Sequence, residues 1–151
     1  MIATLLALHV LAAVFWVGGM IFALAVVRPA ARELAPADRL PLWRRIFSRF
    51  LPRIGGAVAV MLITGIWMIF TVFGGFAAAP LYVNLMMGIG ILMMLLYLHL
   101  MFAPWKRFRI AVDSSDTETA LKNLEKIRAT VGINTGLGLV TIIIAVTGSY
   151  W

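Results

Sequence analysis

Four long apolar runs dominate the chain, and every charged residue lies in the segments between them. The runs cover residues 2–27, 54–73, 81–103 and 129–151. The hydrocarbon core of a bilayer is about 30 Å thick, so an α-helix needs roughly 20 apolar residues to cross it. The pattern therefore predicts an all-α fold: an integral membrane four-helix bundle that forms one domain over residues 1–151.

Helix-breaking residues mark the ends of these runs. Gly74 and Gly75 follow the second run, and Pro80 and Pro104 bracket the third. The first run has no basic leader and no small-residue cleavage motif, and it is longer than the apolar part of a signal peptide. We therefore expect it to be retained as the first span.

The first charged segment is expected to contain an amphipathic helix at the cytoplasmic surface of the bilayer. Arg44, Arg45 and Arg49 lie opposite an apolar face, as in helices that rest in the membrane interface. The apolar positions recur at helical spacing and are Leu40, Trp43, Ile46, Phe47 and Phe50.

The second charged segment is expected to form a stalk helix. Ser115 and Glu118 have the spacing of a capping box, which predicts that a helix begins there, before Leu121. Because no Pro or Gly lies between Ser115 and Val131, this helix should run unbroken into the fourth span.

Charge then predicts the orientation. The chain is 63% hydrophobic with a net charge of +7, and its 13 Lys and Arg residues all lie in residues 28–53 and 106–128. Cytoplasmic loops collect Lys and Arg, so both termini are predicted to be non-cytoplasmic in a bacterial-type inner (plasma) membrane. The positive charge is thus explained by topology and contact with the lipid bilayer, and we expect no nucleic-acid partner.

Polar side chains within the spans are the candidates for chemistry, since a bilayer makes them costly. His9 shares a helix face with small residues and Trp16, which predicts that it faces the bundle. Each remaining span shows a similar stripe, and the four stripes are expected to meet in one core. The stripes are Gly56, Thr64 and Trp67 in span two, Asn84, Gly88, Ile91, Leu95 and His99 in span three, and Asn134, Gly138, Thr141, Ala145 and Gly148 in span four.

The depth of these residues separates two layers of possible metal ligands. At 1.5 Å per residue, His9 lies about 12 Å, Met68 about 9 Å, and Met86 and Met87 about 8 Å below the outer surface. An inner layer of Met20, Met94 and His99 lies near 27 to 28 Å, about 15 Å deeper than His9. Imidazole with thioether sulfur suits Cu(I) and is also an axial pair for haem b.

Each candidate also has a plainer interpretation. Methionine commonly fills apolar helices, His9 can be a neutral hydrogen-bonded imidazole, and His99 can reach the inner interface. Arg49 and Arg53, at the expected start of span two, either contact an anion or pair with lipid phosphate.

Four residues are expected to support the site with polar or aromatic side chains: Asn84, Thr64, Asn134 and Trp16. Trp16 and Trp67 lie within spans, where they either line a pocket or fill volume. With no cysteine and no ionised residue in any span, the catalytic residues, if any, stay unknown.

The segment from Leu8 to Met20, LHVLAAVFWVGGM, resembles the first span of the copper resistance D (CopD) family, in which an LH pair precedes W-x-G-G. The Arg49-Phe50 pair and the stretch from Arg128 to Asn134 support the resemblance. The layout is also similar, more distantly, to HemJ-type protoporphyrinogen oxidases, with a histidine at the place of His9. Both groups typically have a lysine early in the third span, where this chain has Asn84 and Met86.

The CopD resemblance implies copper uptake or handling, and the HemJ resemblance implies haem-linked oxidation of a porphyrinogen. We therefore expect a copper-binding or copper-transporting membrane protein whose metal ligands are His9, Met68 and Met86 or Met87, with an inner layer that passes the ion onward. The alternatives are a b-type haem protein, with or without HemJ-like activity, and a non-catalytic assembly subunit that binds its own copies or other membrane subunits.

Overall fold

A computed structural model describes all residues from Met1 to Trp151, and it confirms the all-α prediction. Four helical stretches are long and apolar enough to cross a membrane. The elements are α1 (Ile2–Phe22), a π-helical turn (Ala23–Val27), α2 (Arg28–Arg32), α3 (Pro36–Phe73), α4 (Leu81–Phe102), α5 (Pro104–Asp113), α6 (Thr117–Thr147) and a final 3-10 turn (Gly148–Tyr150).

The first helix continues past its predicted end. The sequence suggested that it closes at Arg28 and Pro29, but helical structure extends through the π-turn and α2 to Arg32. Proline has no N–H to donate and its ring crowds the preceding turn. The wide turn directly before Pro29 accommodates both effects and lets the helix continue.

The longest helix, α3, joins two elements that the sequence suggested were separate. It runs through Pro41 and Pro52 without a break. The apolar face that was expected to rest on lipid is buried by protein instead, with Leu40, Trp43 and Phe47 in the main core. The helix ends as predicted, because Gly74 adopts the left-handed conformation (φ 76°) that closes a helix.

The predicted boundaries of the third span are confirmed. Pro80 precedes α4, and Ala103 interrupts the helix before Pro104. The sequence analysis did not predict the next helix, α5, whose first residue is Pro104. Proline suits this position since its N–H would have no partner there.

The stalk helix also forms as predicted, although it begins differently. The expected capping residue, Ser115, lies in the turn with φ 61°, and Asp116 caps the helix instead. The Asp116 carboxylate accepts a hydrogen bond from the Thr119 backbone N–H at 3.0 Å. The capping prediction was therefore wrong by one residue, because Ser115 is needed to reverse the chain. From Thr117, α6 runs unbroken to Thr147.

The helices pack as two antiparallel pairs, α1 with α3 and α4 with α6, joined mainly where α1 meets α6. We call the end formed by residues 28–53 and 104–128 the basic end. The opposite end, with Met1, the link 74–80 and Trp151, is the terminal end.

Two cores of unequal size hold this arrangement together. The main core contains eighteen buried residues, and it extends from the basic end to the middle of the bundle. Its centre at the basic end is aromatic, with Trp43 stacked on Phe47 at 4.9 Å and Trp105 and Phe108 packed around Phe47. The terminal core contains only Ile69, Ala79 and Val83.

Candidate functional site

His9 lies in the terminal half of the bundle and contacts α3. Its ring is half-buried, and the residues one and two turns further along the same face, Ala12 and Trp16, are buried. The Nδ1 atom lies 2.9 Å from the hydroxyl oxygen of Thr64, which is itself only 4% exposed. The structure therefore joins His9 to one of the polar residues that the sequence singled out.

The hydrogen bonds of Thr64 favour one tautomer of His9. The Thr64 hydroxyl donates to the Val60 carbonyl, at 2.6 Å. The same oxygen then accepts from His9, which favours a proton on Nδ1. In a neutral imidazole of this form the lone pair is on Nε2, the nitrogen that could bind a metal.

Gly65 provides the space for this ring. A Cβ atom at Gly65 would lie 3.1 Å from His9 Cε1, closer than most side-chain contacts, and 3.6 Å from Nδ1, an ordinary contact distance. The Nδ1–Cε1 edge of the imidazole therefore lies close to the α3 backbone. A side chain at this position would require the ring to shift by a few tenths of an ångström.

Two methionines lie one turn to either side of Thr64 on α3. Met68, a predicted ligand, is half-buried, as is Met61. The sequence analysis missed Met61, although its spacing of three residues from Thr64 places it on the same helix face. Thioether groups thus flank the histidine contact along one helix.

Met86 and Met87 lie in the same half of the bundle on α4. Both are half-buried, and they pack against the terminal core, which includes Ile69, the residue after Met68. The residues of the expected outer layer therefore lie on three helices, α1, α3 and α4. The hydrogen bond of His9 Nδ1 is with Thr64.

The expected inner layer is divided between the core and the surface. Met20 is buried in the main core, and Met94 packs against that core. His99 is exposed, and it lines an open groove of about 360 Å³ with Arg107, Lys126 and Thr130, among others. The break at Ala103 brings α5 and its cations beside His99, which the sequence pattern did not show.

The polar stripe of the third span does not face the core, so this expectation was wrong. Asn84, Gly88, Ile91, Leu95 and His99 are all exposed. Asn84 is in the first turn of α4, where its amide donates to the carbonyl oxygens of Phe76 and Ala79 in the link. A polar side chain at a helix end is satisfied by the adjoining loop and has no need of the core. The buried residues of α4 are Val83, Met93, Tyr97 and Leu100.

The stripe of the fourth span faces inward at three of its five positions. Asn134, Gly138 and Gly148 are buried, whereas Thr141 is half-buried and Ala145 exposed. The Asn134 amide donates to the Met93 carbonyl at 3.2 Å and ties α6 to α4. Asn134 thus supports the packing of the bundle midway along its length.

The two tryptophans within the spans have different surroundings. Trp16 is 2% exposed and meets the ring of Tyr97 edge-on at 6.5 Å. Tyr97, which the sequence analysis did not select, donates its hydroxyl to the Leu51 carbonyl at 2.9 Å. Trp67 is 49% exposed on the outside of the bundle, so Trp16 and Trp67 do not line a common pocket.

The predicted helix start at Arg49 and Arg53 does not exist. Because α3 begins at Pro36, both residues lie in the middle of a helix, where most backbone N–H groups are already hydrogen-bonded. Both side chains are exposed, and Arg53 donates to the Arg49 carbonyl. The helix-end argument for anion binding at these residues is therefore withdrawn.

An ion pair links the two charged segments at the basic end. Arg44 approaches both carboxylate oxygens of Asp113, with Nε–Oδ1 2.6 Å and Nη2–Oδ2 2.9 Å. The hydrogen bond from Arg44 lowers the pKa of the Asp113 carboxyl below its usual value. This pair fixes α5 to α3.

The donors available around His9 suit a soft monovalent cation. No group of three or more His, Cys, Asp or Glu side chains comes together, so a metal here would bind the imidazole and thioether groups. This set is typical of Cu(I) and unlike the sites of hard divalent ions.

Comparison with known proteins gives one match. No curated protein and no solved structure matches the chain. The family model of Copper resistance protein D matches residues 44–147, which covers most of α3 and all of α4, α5 and α6, but neither His9 nor the rest of the first span. The distant likeness to HemJ-type oxidases is not shown. Because the match covers more than half of its 151 residues, this multi-pass membrane protein belongs to the CopD family.

Proposed function

We propose that this protein binds Cu(I) within the membrane through His9, Met68 and Met86 or Met87, as a step in copper handling. The supporting observation is the hydrogen bond between His9 and Thr64, which favours the tautomer of His9 with its lone pair on Nε2. Metal-binding histidines usually donate their other N–H to a neighbouring oxygen in this way. We add Met61 as a candidate ligand, since it flanks the same contact on α3.

Of the inner layer, Met20 and Met94 are the better candidates for receiving the ion. They lie in or against the main core. His99 shares its groove with Arg107 and Lys126, whose positive charges disfavour a second cation. We therefore propose that an ion leaving the His9 site would move along the methionines and not through His99.

A Cu(I) competition titration against a colorimetric chelator tests the proposal. His9→Ala should weaken binding at least 10-fold, whereas His99→Ala should leave it unchanged. Met68→Leu should weaken binding, and Met101→Leu, a half-buried methionine at the basic end, is its matched control. Unchanged copper affinity in His9→Ala would refute the assignment.

A visible spectrum of the same purified protein separates the copper proposal from its rivals. A Soret band that disappears in His9→Ala would assign His9 to a haem instead. Absence of both metal and haem, together with tight co-purification of another membrane protein, would favour the assembly-subunit alternative.

We also propose that the basic end is cytoplasmic in a bacterial-type inner membrane, with both termini on the other side. All 13 Lys and Arg residues lie in the segments that form this end, which supports the orientation. Reporter fusions test it: a fusion in the turn 114–116 should report the cytoplasm and one in the link 74–80 the opposite side. The reverse result would overturn the orientation.

A further inference from the structure

Four arginines from three helices converge at the basic end, in a group we call the arginine cluster. Arg28 and Arg32 are in α2, Arg39 is in α3 and Arg128 is in α6. The charges of the first three act on Arg128, which places each of them in its neighbourhood. Arg128 also lies over the ring of Trp43, 5.9 Å from its centroid.

Several N–H groups in the cluster are buried without a hydrogen-bond partner. They are the Nε atoms of Arg28, Arg39 and Arg128 and the Nη2 atom of Arg128. The indole N–H of Trp43 is also unpaired, although this side chain is only 2% exposed. Buried donors of this kind are normally satisfied by protein, water or a ligand, so the cluster has donors to offer to an acceptor.

The cluster also lacks a matching negative charge. Glu125 is the one acid that acts on Arg128, against three arginines that repel it. Arg44, at the same end of the bundle, forms an ion pair with Asp113, whereas no cluster arginine has a carboxylate within ion-pair distance. Gathering four cations without such a partner is unfavourable unless an anion is present.

We propose that the arginine cluster is a binding site for a phosphate group. Guanidinium groups match phosphate oxygens with two parallel hydrogen bonds, and several acceptor oxygens are needed to satisfy donors from three arginines. The Arg128 guanidinium is held over the face of the Trp43 ring by a cation–π contact. The phosphate belongs either to an anionic lipid headgroup or to a soluble ion, and both offer the same oxygens.

Thermal unfolding of the protein in neutral detergent tests this site. Inorganic phosphate and short-chain phosphatidylglycerol are titrated separately, with sodium chloride at equal ionic strength and short-chain phosphatidylcholine as their controls. We expect at least one phosphate ligand to raise the melting temperature by several degrees beyond its control. A response to inorganic phosphate assigns the site to a soluble ion, and a response to phosphatidylglycerol alone assigns it to a headgroup.

Substitutions then locate the effect. Arg128→Gln and Arg39→Gln should each weaken the apparent phosphate affinity about 10-fold or more. Arg45→Gln is the matched control, since Arg45 is an exposed arginine on the same helix as Arg39. Without ligand, Arg128→Gln should melt no lower than the parent protein, because it removes repulsion. If Arg128→Gln does not fold, Arg39→Gln alone decides.

Two results would overturn the proposal. One is that neither phosphate ligand shifts the melting temperature beyond its control. The other is that Arg45→Gln loses as much affinity as Arg39→Gln, which would mean that binding follows overall charge and not this cluster.

Discussion

The basic end and the terminal end of the bundle are held together in different ways. At the basic end, α3, α5 and α6 bury an aromatic centre with Phe108, Leu124 and Ile127 fully enclosed. At the terminal end, the buried core consists of three residues. The core of the basic end resembles that of a soluble protein, in which the removal of apolar surface from water drives packing.

The terminal end relies on close helix contact instead. Lipid is as apolar as the side chains, so helices within a bilayer associate through small residues and interhelical hydrogen bonds. Gly148 against Tyr82 and the His9–Thr64 hydrogen bond are contacts of this kind. The comparison indicates that the basic end contains most of the buried apolar core, while the terminal end is joined by small residues and polar contacts.

The largest effect is expected in the aromatic centre. Phe108→Ala should cost about 3–5 kcal/mol of unfolding free energy, because it leaves a cavity among Phe47 and Trp105. Phe70, at the terminal end, is 56% exposed and pairs with Phe76, so Phe70→Ala should cost only about 1 kcal/mol. Denaturant unfolding in mixed micelles measures the loss of unfolding free energy in both variants. Equal losses would contradict the proposed difference between the ends.

The next effect concerns the contact that joins the two helix pairs. A Cβ atom at Gly138 would lie 2.7 Å from Val17 Cγ2 and 3.2 Å from Met93 Cε. Gly138→Ala should therefore cost about 1–3 kcal/mol through overpacking. Gly136, two residues earlier on α6, has open space and is the control: Gly136→Ala should be neutral or gain up to about 1 kcal/mol. The same unfolding assay measures both, and indistinguishable variants would contradict close packing at Gly138.

A third prediction separates function from stability in the terminal half. Thr64→Val removes the acceptor that holds the His9 N–H, and loss of such a partner typically weakens metal binding roughly 10-fold to 100-fold. Thr71→Val is the control, because Thr71 makes the same bond to its own helix but does not contact His9. Cu(I) titration should distinguish the two, with Thr64→Ser close to the parent protein. Equal affinity in both valine variants would remove Thr64 from the site.

The smallest effect is expected for the ion pair at the basic end. The pKa of Asp113 is lowered in the folded protein, so its carboxylate stabilises the fold above the ordinary aspartate value of 3.8, and this contribution is lost as the pH falls through the lowered pKa. Asp113→Asn should lower the melting temperature slightly at pH 7 and less at pH 3. The same loss at both values would show that charge is not involved, and Arg44→Gln should not add to Asp113→Asn at pH 7.

The sequence alone predicted four long apolar helices and the helix ends at Gly74, Pro80 and Pro104, because the length of an apolar run and the position of helix-breaking residues are local properties. It also placed His9 correctly toward the bundle, since the buried face of α1 is marked by Ala12 and Trp16. These features depend on residues one or two helix turns apart.

What depends on distant parts of the chain could not be predicted in this way. The stripe on α4 suggested an inward face, but the link satisfies Asn84 from outside the helix. Nothing near Trp43 in sequence indicates that this side chain is only 2% exposed, or that Arg128 of α6 lies over its ring. The bond between His9 and Thr64 spans 55 residues, and only the packing of α1 on α3 creates it.

The length of α3 gives the molecule a lopsided profile. Eighteen residues of α3 precede Ile54, and at 1.5 Å each they extend about 27 Å beyond the apolar part. The headgroup region on each side of a bilayer is only about 5–7 Å thick, so a helix standing upright would raise roughly 20 Å of folded protein above the membrane. On the opposite side, the link 74–80 contains only seven residues. The basic end would therefore offer soluble proteins that approach this membrane a folded surface to bind.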